Sequence, residues 1–170
     1  MNKRFDNIRI PIIIVAFNRP KALERLLNSL LKASYPGEVE LVISVDGEKE
    51  GREDGKTIGK GEEVRRVASG FEWPFGEKKL IFHEKNLGLR RHVIFCGELN
   101  KDYEGVIVLE DDLYVAPSFY NYTLQAFEFY KGDPKIAGIS LYSHAYNETA
   151  QFPFRPLSDD SDVFFMRRAY

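Results

Sequence analysis

The sequence predicts an α/β fold: an open, mostly parallel, twisted sheet with helices on both faces. Two short runs, residues 10–17 and 39–47, are apolar almost throughout, as expected of strands that are buried on both faces of a parallel sheet. Between them, leucines recur at helical spacing from Leu23 to Leu31. Later apolar runs alternate with further helical patterns, which favours the α/β class over the other classes. A strand–helix–strand unit of this kind places its strands parallel, with a right-handed crossover.

The remaining elements follow in chain order. Residues 47–61 are rich in glycine and charge and predict a mobile surface loop. We find no repeat and no linker, and therefore expect one domain over residues 1–170. The patterns then predict a helix over 62–68, a strand over 78–85, a loop and helix over 86–102, a strand over 104–112, a helix starting near Pro117, a strand over 136–143 and a last strand over 162–167.

Within the helix predicted after residue 86, one apolar face is expected to turn toward the core. Its members are Leu89, either His92 or Val93, Cys96 and Leu99. Cys96 is the only cysteine, so no internal disulfide can form, and a buried thiol is the expected state.

Composition excludes several classes of protein. Hydrophobic residues make up 44% and charged residues 29%, an ordinary globular balance, and the net charge is −2 with Lys and Arg scattered. No nucleic-acid partner is therefore expected. The apolar run at residues 10–17 is too short to span a bilayer and lacks the pattern of a signal peptide, so we expect no transmembrane segment and a cytoplasmic chain.

Polar residues gather where three predicted strands end. Ligands of open α/β sheets bind at this carboxyl edge. Three of these residues, Glu110, Asp111 and Asp112, are consecutive acids, and their carboxylates repel one another unless a cation neutralises them. Mg²⁺ or Mn²⁺ binds one or two carboxylates together with phosphates and waters. No His or Cys ligand set accompanies the acids, so the pattern predicts a metal–diphosphate site, with a solvated acidic turn as the alternative. The residues at these strand ends are Asn18, Arg19, Asp46, Glu110, Asp111 and Asp112.

Four segments carry a resemblance to a known family. They are "PIIIVAFNRP", "LVISVDG", "NLGLRRH" and "VIVLEDDLYVAPSFYNY", in that order, and "VLEDDLYVAPSF" is the most specific of them. Together they resemble the nucleotide-binding half of GT-A-fold glycosyltransferases over residues 10–170. The sequence is most similar to the alpha-mannoside beta-1,2-N-acetylglucosaminyltransferase I family and its bacterial glycosyltransferase family 2-like relatives. The resemblance implies a UDP-sugar donor, a carbohydrate acceptor and inverting transfer.

The resemblance also implies roles for the strand-end residues. Asp112 matches the position that ligates Mn²⁺ (or Mg²⁺), which holds the UDP diphosphate. Glu110 and Asp111 match positions near the sugar and the ribose. Arg19 and Asp46 match positions around the uracil, and this fits their chemistry, because a carboxylate can accept the uracil N3–H and a guanidinium can stack on a base or bind phosphate.

Further nucleotide-sugar contacts are expected on either side of these residues. Phe17 and Asn18 lie in the same loop as the arginine of the first strand end. The family also has a basic or histidine contact near the start of its third helix. Arg90, Arg91 and His92 compete for that position, and the binding set is taken to include Arg90 and His92.

One departure from the family concerns the catalytic base. In the family it is a carboxylate well beyond the metal motif, in a segment that contains tryptophan and acids. This chain ends at Tyr170 and its only tryptophan is Trp73, so the acceptor part is expected to be lacking and the base stays unassigned. Asp159, Asp160 and Asp162 are the nearest acids, but "LSDDSD" is more typical of a polar turn.

The leading hypothesis is therefore a metal-dependent hexosyl- or N-acetylhexosaminyl-transferase domain. A non-catalytic or truncated nucleotide-binding module is the main alternative, because the base is not found. A sugar-phosphate nucleotidyltransferase is less favoured, because "AFNRPKAL" lacks the glycine-rich loop that such enzymes carry after the first strand.

Overall fold

The computed structural model describes residues 10–48, 60–141, 146–147, 152–153 and 164–167 of the chain. Contacts between residues divide it into two compact units, Met1–Tyr120 and Asn121–Tyr170. Residues 49–59, most of the predicted glycine-rich loop, lie outside the described residues.

A parallel sheet of four strands forms the centre of the first unit. Its spatial order is β3-β2-β1-β4, and every neighbouring pair is parallel. The strands are β1 (Ile12–Ala16), β2 (Leu41–Val45), β3 (Lys78–Phe82) and β4 (Ile107–Glu110). The helices are α1 (Pro20–Leu30), α2 (Lys60–Gly70) and α3 (Leu89–Glu98), and a short 3₁₀ helix (Leu99–Asp102) continues α3.

The order of the strands determines where the helices lie. Right-handed crossovers from β1 to β2 and from β2 to β3 put α1 and α2 on one face, and these two helices contact each other. The chain then returns past β1 to β4, which reverses the direction and puts α3 on the other face, against β1 and β4. The predicted α/β class, with helices on both faces of a parallel sheet, is confirmed.

Burial explains why the central strands read as continuous apolar runs. Every residue of β1 and of β2 is buried, since side chains alternate between two covered faces. Ile13 and Val15 pack with Cys96 of α3, so the expectation of a buried thiol is also confirmed. On α1, the leucine stripe is buried from Leu23 to Leu30.

Two apolar residues that were predicted to face the core are exposed instead. Leu89, the first residue of α3, is 64% exposed, because it lies where the helix begins at the open edge of the sheet. Leu31 is 38% exposed, since α1 ends one residue before it. His92 rather than Val93 is the fully buried member of α3 at its position.

The second unit contains short antiparallel pairs. The helix α4 (Phe119–Tyr130) begins at the end of the first unit and continues into the second. The strand β5 (Ile136–Ser140) is shorter than the predicted 136–143. The strands β6 (Tyr146–Asn147) and β7 (Phe152–Pro153) pair with each other, and β5 pairs antiparallel with β8 (Phe164–Arg167), close to the predicted last strand. Among the described residues, no helix is long and apolar enough to cross a membrane.

Candidate nucleotide-sugar site

The carboxyl edge of the sheet brings the residues that follow β1, β2 and β4 side by side. Val15 of β1 lies in register with Glu110 of β4. Backbone pairing continues past the strand ends, since Asp46 N donates to Ala16 O at 2.9 Å and Asp111 N donates to Val15 O at 3.1 Å. The chain reverses direction between β1 and β4, and in open α/β sheets the crevice for a ligand lies at such a switch point.

A cavity of about 300 Å³ opens at this edge. This volume is at the lower end of the range for small-molecule sites, roughly 300–1,000 Å³. Four segments contribute: the end of β1 with its loop, the end of β2, the turn that leads into α3, and the end of β4. The lining residues are Val15, Ala16, Phe17, Asn18, Arg19, Asp46, Asn86, Gly88, Leu89, His92, Glu110 and Asp111.

Arg19 joins the first loop to the acidic run. It is the residue immediately before α1, and its Nη2 lies 2.6 Å from Asp111 Oδ1 while its Nη1 lies 2.6 Å from Asp112 Oδ2. The Asp111 side chain is only 1% exposed, whereas those of Arg19 and Asp112 are 48% and 44% exposed. One planar guanidinium can serve two carboxylates in this way because its donors form a rigid fork. The repulsion within the acidic run is therefore offset by a cation from a neighbouring strand end.

The buried carboxylate of Asp111 is incompletely satisfied. Its Oδ2 accepts a hydrogen bond from Phe17 N at 3.2 Å. Its Oδ1 has the ion-pair contact with Arg19, but it receives no well-directed hydrogen bond from the described residues. Burial raises the pKa of Asp111, although the Phe17 amide and the Arg19 charge favour its ionised form. A buried oxygen that still lacks a full set of partners is suited to a further cation.

The acidic run fits a hard divalent cation. Within the described part of the chain, no three His, Cys, Asp or Glu side chains are grouped to hold a metal by themselves. Mg²⁺ and Mn²⁺ do not require such a group, because they commonly bind one or two carboxylates and complete their shells with phosphate oxygens and waters. Asp111 and Asp112 offer oxygen ligands of this kind, so the residues present fit the predicted metal.

Asp46 is held by the turn that leads into α3. Its carboxylate is buried, and it accepts hydrogen bonds from the backbone N–H groups of Gly47, Leu87 and Gly88 at 2.9, 2.7 and 3.0 Å. It also accepts one from Asn86 Nδ2 at 3.0 Å. The end of β2 thereby fixes the turn that forms one wall of the cavity.

His92 is buried, lines the cavity and belongs to a polar cluster with Ser44 and His83. The Ser44 hydroxyl lies 2.7 Å from His92 Nε2 and 3.1 Å from His83 Nε2, and the two imidazole rings are 5.0 Å apart at their centroids in an edge-to-face arrangement. Burial lowers the pKa of His92; the Asp46 charge opposes this shift and His83 adds to it. His92 therefore lines the cavity as a neutral imidazole at neutral pH.

Most of the residues predicted for binding come together in the cavity. They are Phe17, Asn18, Arg19, Asp46, His92, Glu110 and Asp111. Asp112 is attached to this group through Arg19 and does not itself line the cavity. Arg90 and Arg91 are exposed and lie outside the lining, so of the three competing residues on α3 the structure places His92 at the site. The individual roles of these residues toward a nucleotide sugar stay predictions.

Five lining residues were not among those predicted for the site: Val15, Ala16, Asn86, Gly88 and Leu89. Val15 and Ala16 belong to the predicted first strand. Asn86 follows the predicted third strand, so the strand-end argument applied to that strand would have found it. Gly88 has φ +77°, a left-handed conformation that favours glycine, and the signal for it is the glycine just before the predicted helix. Leu89 was expected to face the core. The acids considered as bases, Asp159, Asp160 and Asp162, lie outside the described residues.

Comparison with known protein families shows which family the chain belongs to. The sequence model of the GNT-I family matches residues 2–152, which is most of the chain. The chain belongs to the GNT-I family. No curated protein sequence matched this GNT-I family member.

Two solved structures with the same fold hold nucleotide sugars, and one of them is a mannosyltransferase. The mannosyltransferase PcManGT from Pyrobaculum calidifontis, in complex with GDP-Man and Mn²⁺, is 17% identical with a TM-score of 0.55, and the match covers 81% of this chain and 36% of that one. S. aureus TarS 1-349 in complex with UDP-GlcNAc is 19% identical with a TM-score of 0.52, and the match covers 89% and 39%. At this identity the likeness shows the fold of the GNT-I family chain, which spans less than half the length of either structure.

Proposed function

We propose that this chain is a metal-dependent glycosyltransferase domain that binds a UDP-sugar and transfers the sugar to a hydroxyl of a carbohydrate acceptor, with inversion. The observation that carries the proposal is the cavity at the β1/β4 switch point, where Arg19 lies between the carboxylates of Asp111 and Asp112. Membership of the GNT-I family supports the same reading. Structures of the same fold contain UDP-GlcNAc or GDP-Man with Mn²⁺, which supports a nucleotide-sugar donor.

The acidic run is assigned to the diphosphate side of the donor. Asp112, which is half-exposed, is the metal ligand, and Asp111 is the carboxylate beside it. When bound, Mn²⁺ or Mg²⁺ supplies Lewis-acid stabilisation to the leaving diphosphate. Arg19 contributes a permanent positive charge to the same side of the cavity. Glu110, at the end of β4, is assigned to the sugar or the ribose.

The reaction itself is a single displacement. The acceptor oxygen forms a bond to the anomeric carbon as the bond from that carbon to the UDP oxygen breaks, and the hydroxyl proton passes to a general base. The protein's part on the donor side is to fix the nucleotide and to offset the charge of the leaving group. Burial lowers the pKa of His92, so among the lining side chains the positive charge at neutral pH comes from Arg19.

A thermal-shift panel tests the proposal. UDP, GDP, CDP and UDP-sugars are added to the protein with and without Mn²⁺. We expect UDP with Mn²⁺ to give the largest rise in Tm, about 5–10 °C at a ligand concentration near 100 Kd. Asp112→Asn should remove the effect of Mn²⁺, whereas Glu24→Gln, an exposed acid on α1, should keep it. A rise in Tm with UDP that is the same with and without Mn²⁺, and the same in Asp112→Asn, would overturn the proposal.

A second measurement separates transfer from binding alone. Release of UDP from a UDP-sugar in the presence of glycan acceptors is the expected result for a transferase. Manganese-dependent binding of UDP with no release from any UDP-sugar would instead support a nucleotide-binding module.

A further inference from the structure

Tyr114 is the most exposed large apolar side chain among the described residues of the first unit, at 70%. Neither its ring nor its hydroxyl has a partner in the part of the chain that the structure describes. The other tyrosines of this unit are buried or half-buried, and each donates a hydrogen bond through its hydroxyl; they are Tyr35, Tyr103 and Tyr120. Covering an exposed aromatic ring is favourable, so the ring and hydroxyl of Tyr114 are available to a ligand.

The backbone on both sides of Tyr114 is held by hydrogen bonds. Before it, Leu113 N donates to Glu110 O at 3.2 Å. After it, Val115 is buried, and its N–H donates at 3.1 Å to the hydroxyl of Ser29 on α1. A ligand that covers the ring therefore orders little more than the two side-chain torsions of the tyrosine, and the loss of conformational entropy is small.

Tyr114 lies close to the acidic run but outside the cavity. It follows Asp112, the predicted metal ligand, by two residues, and two residues of extended chain span at most about 7 Å between Cα atoms. Asp111 and Val115 are buried, whereas Asp112 and Tyr114 are exposed. Tyr114 does not line the cavity. A molecule on its ring therefore lies beside the site for the nucleotide sugar and not within it.

A pyranose ring has the chemistry to cover such a side chain. Several C–H groups lie on one face of many pyranoses, and these slightly positive groups pack on the electron-rich face of an aromatic ring. The tyrosine hydroxyl can donate to or accept from a sugar hydroxyl at the rim of the same contact. In the proposed reaction a carbohydrate acceptor approaches the donor from outside the cavity, which is where Tyr114 is exposed.

We propose that Tyr114 is a stacking platform for a pyranose unit of the acceptor glycan. The proposal rests on the function proposed above, since that function places a carbohydrate beside the nucleotide sugar. The platform favours acceptors that present an apolar pyranose face, and it contributes to the affinity for the acceptor without contacting the nucleotide. Tyr114 is thus a specificity residue for the acceptor side of the reaction.

Nuclear magnetic resonance of the protein with ¹³C-labelled tyrosine rings tests the platform. The Tyr114 signal is identified by its absence in Tyr114→Phe. Cellobiose, lactose, maltose and N,N′-diacetylchitobiose are titrated into the protein, first alone and then together with UDP and Mg²⁺, a metal that is not paramagnetic. We expect at least one of these disaccharides to shift the Tyr114 signal in a saturable way.

Matched variants separate the stacking contact from other effects. Tyr114→Leu should weaken binding of that disaccharide by about 3- to 10-fold, the usual contribution of one aromatic contact. Tyr114→Phe should keep most of the affinity, because it keeps the ring. Phe129→Leu, at an exposed aromatic residue of α4, is the control and should leave the affinity unchanged. Calorimetry should give the same affinity for UDP with Mg²⁺ in all of these variants.

The outcomes distinguish the platform from the proposed function. A Tyr114 signal that no disaccharide shifts, or an affinity that is unchanged in Tyr114→Leu, would overturn the platform even where UDP binds. No binding of UDP by the unaltered protein would overturn the proposed function. A saturable shift of the Tyr114 signal by a disaccharide alone would still support a carbohydrate contact at this ring.

Discussion

Arg19 Nη1 lies 2.6 Å from Asp112 Oδ2, so the residue predicted to ligate a metal is paired with a cation of the protein itself. The same guanidinium contacts the buried Asp111 at 2.6 Å. A divalent cation at this position and the Arg19 side chain would therefore use the same carboxylates. Because two neighbouring cations repel each other and would draw on the same negative charge, we expect metal binding to weaken the contact of Arg19 with Asp112 and to make its charge available to an anionic ligand.

This relationship predicts that Arg19 weakens metal binding in the absence of nucleotide. Arg19→Gln should raise the affinity for Mn²⁺ by about 3- to 10-fold, because a half-exposed charge pair contributes roughly 1 kcal/mol. Electron paramagnetic resonance of free Mn²⁺ measures the affinity without any turnover. Arg25→Gln, an exposed arginine on α1, is the control and should leave it unchanged. Equal affinities in the unaltered protein and in Arg19→Gln would show that the two cations do not compete.

Asp111 and Asp112 should respond differently to loss of charge. Burial raises the pKa of Asp111, which means that the folded protein favours its neutral form more than water does. We expect Asp111→Asn to raise the free energy of unfolding by up to about 1 kcal/mol and to weaken Mn²⁺ binding. A gain in stability at the expense of function is typical of functional sites. Asp112→Asn, at an exposed position, should change the free energy of unfolding by less than about 0.5 kcal/mol.

Urea unfolding of the metal-free protein measures these differences. Asp111→Ala is the matched control, since it removes the acceptor of the Phe17 amide and should destabilise the protein. A loss of stability in Asp111→Asn as large as in Asp111→Ala would contradict the expectation.

The sheet could be predicted from sequence because burial on both faces leaves a plain signal. β1 is apolar throughout, β2 is apolar except for Ser44, and every residue in them is buried. The crossover rule then gives the parallel pairing, which the structure confirms. The ends of elements were harder to predict, since α3 begins at Leu89 and gives way to a 3₁₀ helix at Leu99 inside one continuous helical pattern.

The composition of the cavity could be predicted from strand ends, but its internal hydrogen bonds could not. The position of Arg19 after β1 and of Asp111 after β4 follows from topology. Arg19 pairs with both acids, and the turn around Asn86 fills the acceptor positions of Asp46. Both arrangements depend on the geometry of side chains from segments up to 93 residues apart. The periodicity of the sequence does not predict such contacts.

His92 should make the stability of the protein depend on pH. Its pKa is lowered in the folded protein by burial and by His83, against the opposing charge of Asp46, and its other close polar neighbour is Ser44. The unfolded chain therefore binds a proton near pH 6.5 that the folded protein does not, and stability falls as the pH drops from about 7 toward the folded pKa.

Thermal unfolding between pH 7.5 and 5.5 measures this effect. We expect the Tm of the unaltered protein to fall by about 2–4 °C for each kcal/mol lost, with a loss of at most about 1.4 kcal/mol per pH unit from one group. His92→Gln stays neutral over this range and should show a smaller slope. An identical slope in His92→Gln would assign the pH dependence to other groups.

Two glycines provide a test of how tightly the end of β2 meets the turn before α3. An added Cβ at Gly47 would lie 2.4 Å from the carbonyl carbon and 2.7 Å from the carbonyl oxygen of Lys85, both backbone atoms that cannot move without shifting the turn. Gly47→Ala should therefore lower the free energy of unfolding by about 1–3 kcal/mol, the usual range for overpacking. At Gly97, within α3, an added Cβ meets no atom within 4 Å, so Gly97→Ala should be stabilising by roughly 0.5–1 kcal/mol through helix propensity.

Because the turn carries Asn86 and Gly88, Gly47→Ala should also weaken UDP binding while Gly97→Ala leaves it unchanged. Urea unfolding with calorimetry on the same two variants checks both effects, and similar behaviour of the two would mean that the contact between Gly47 and Lys85 does not shape the cavity wall.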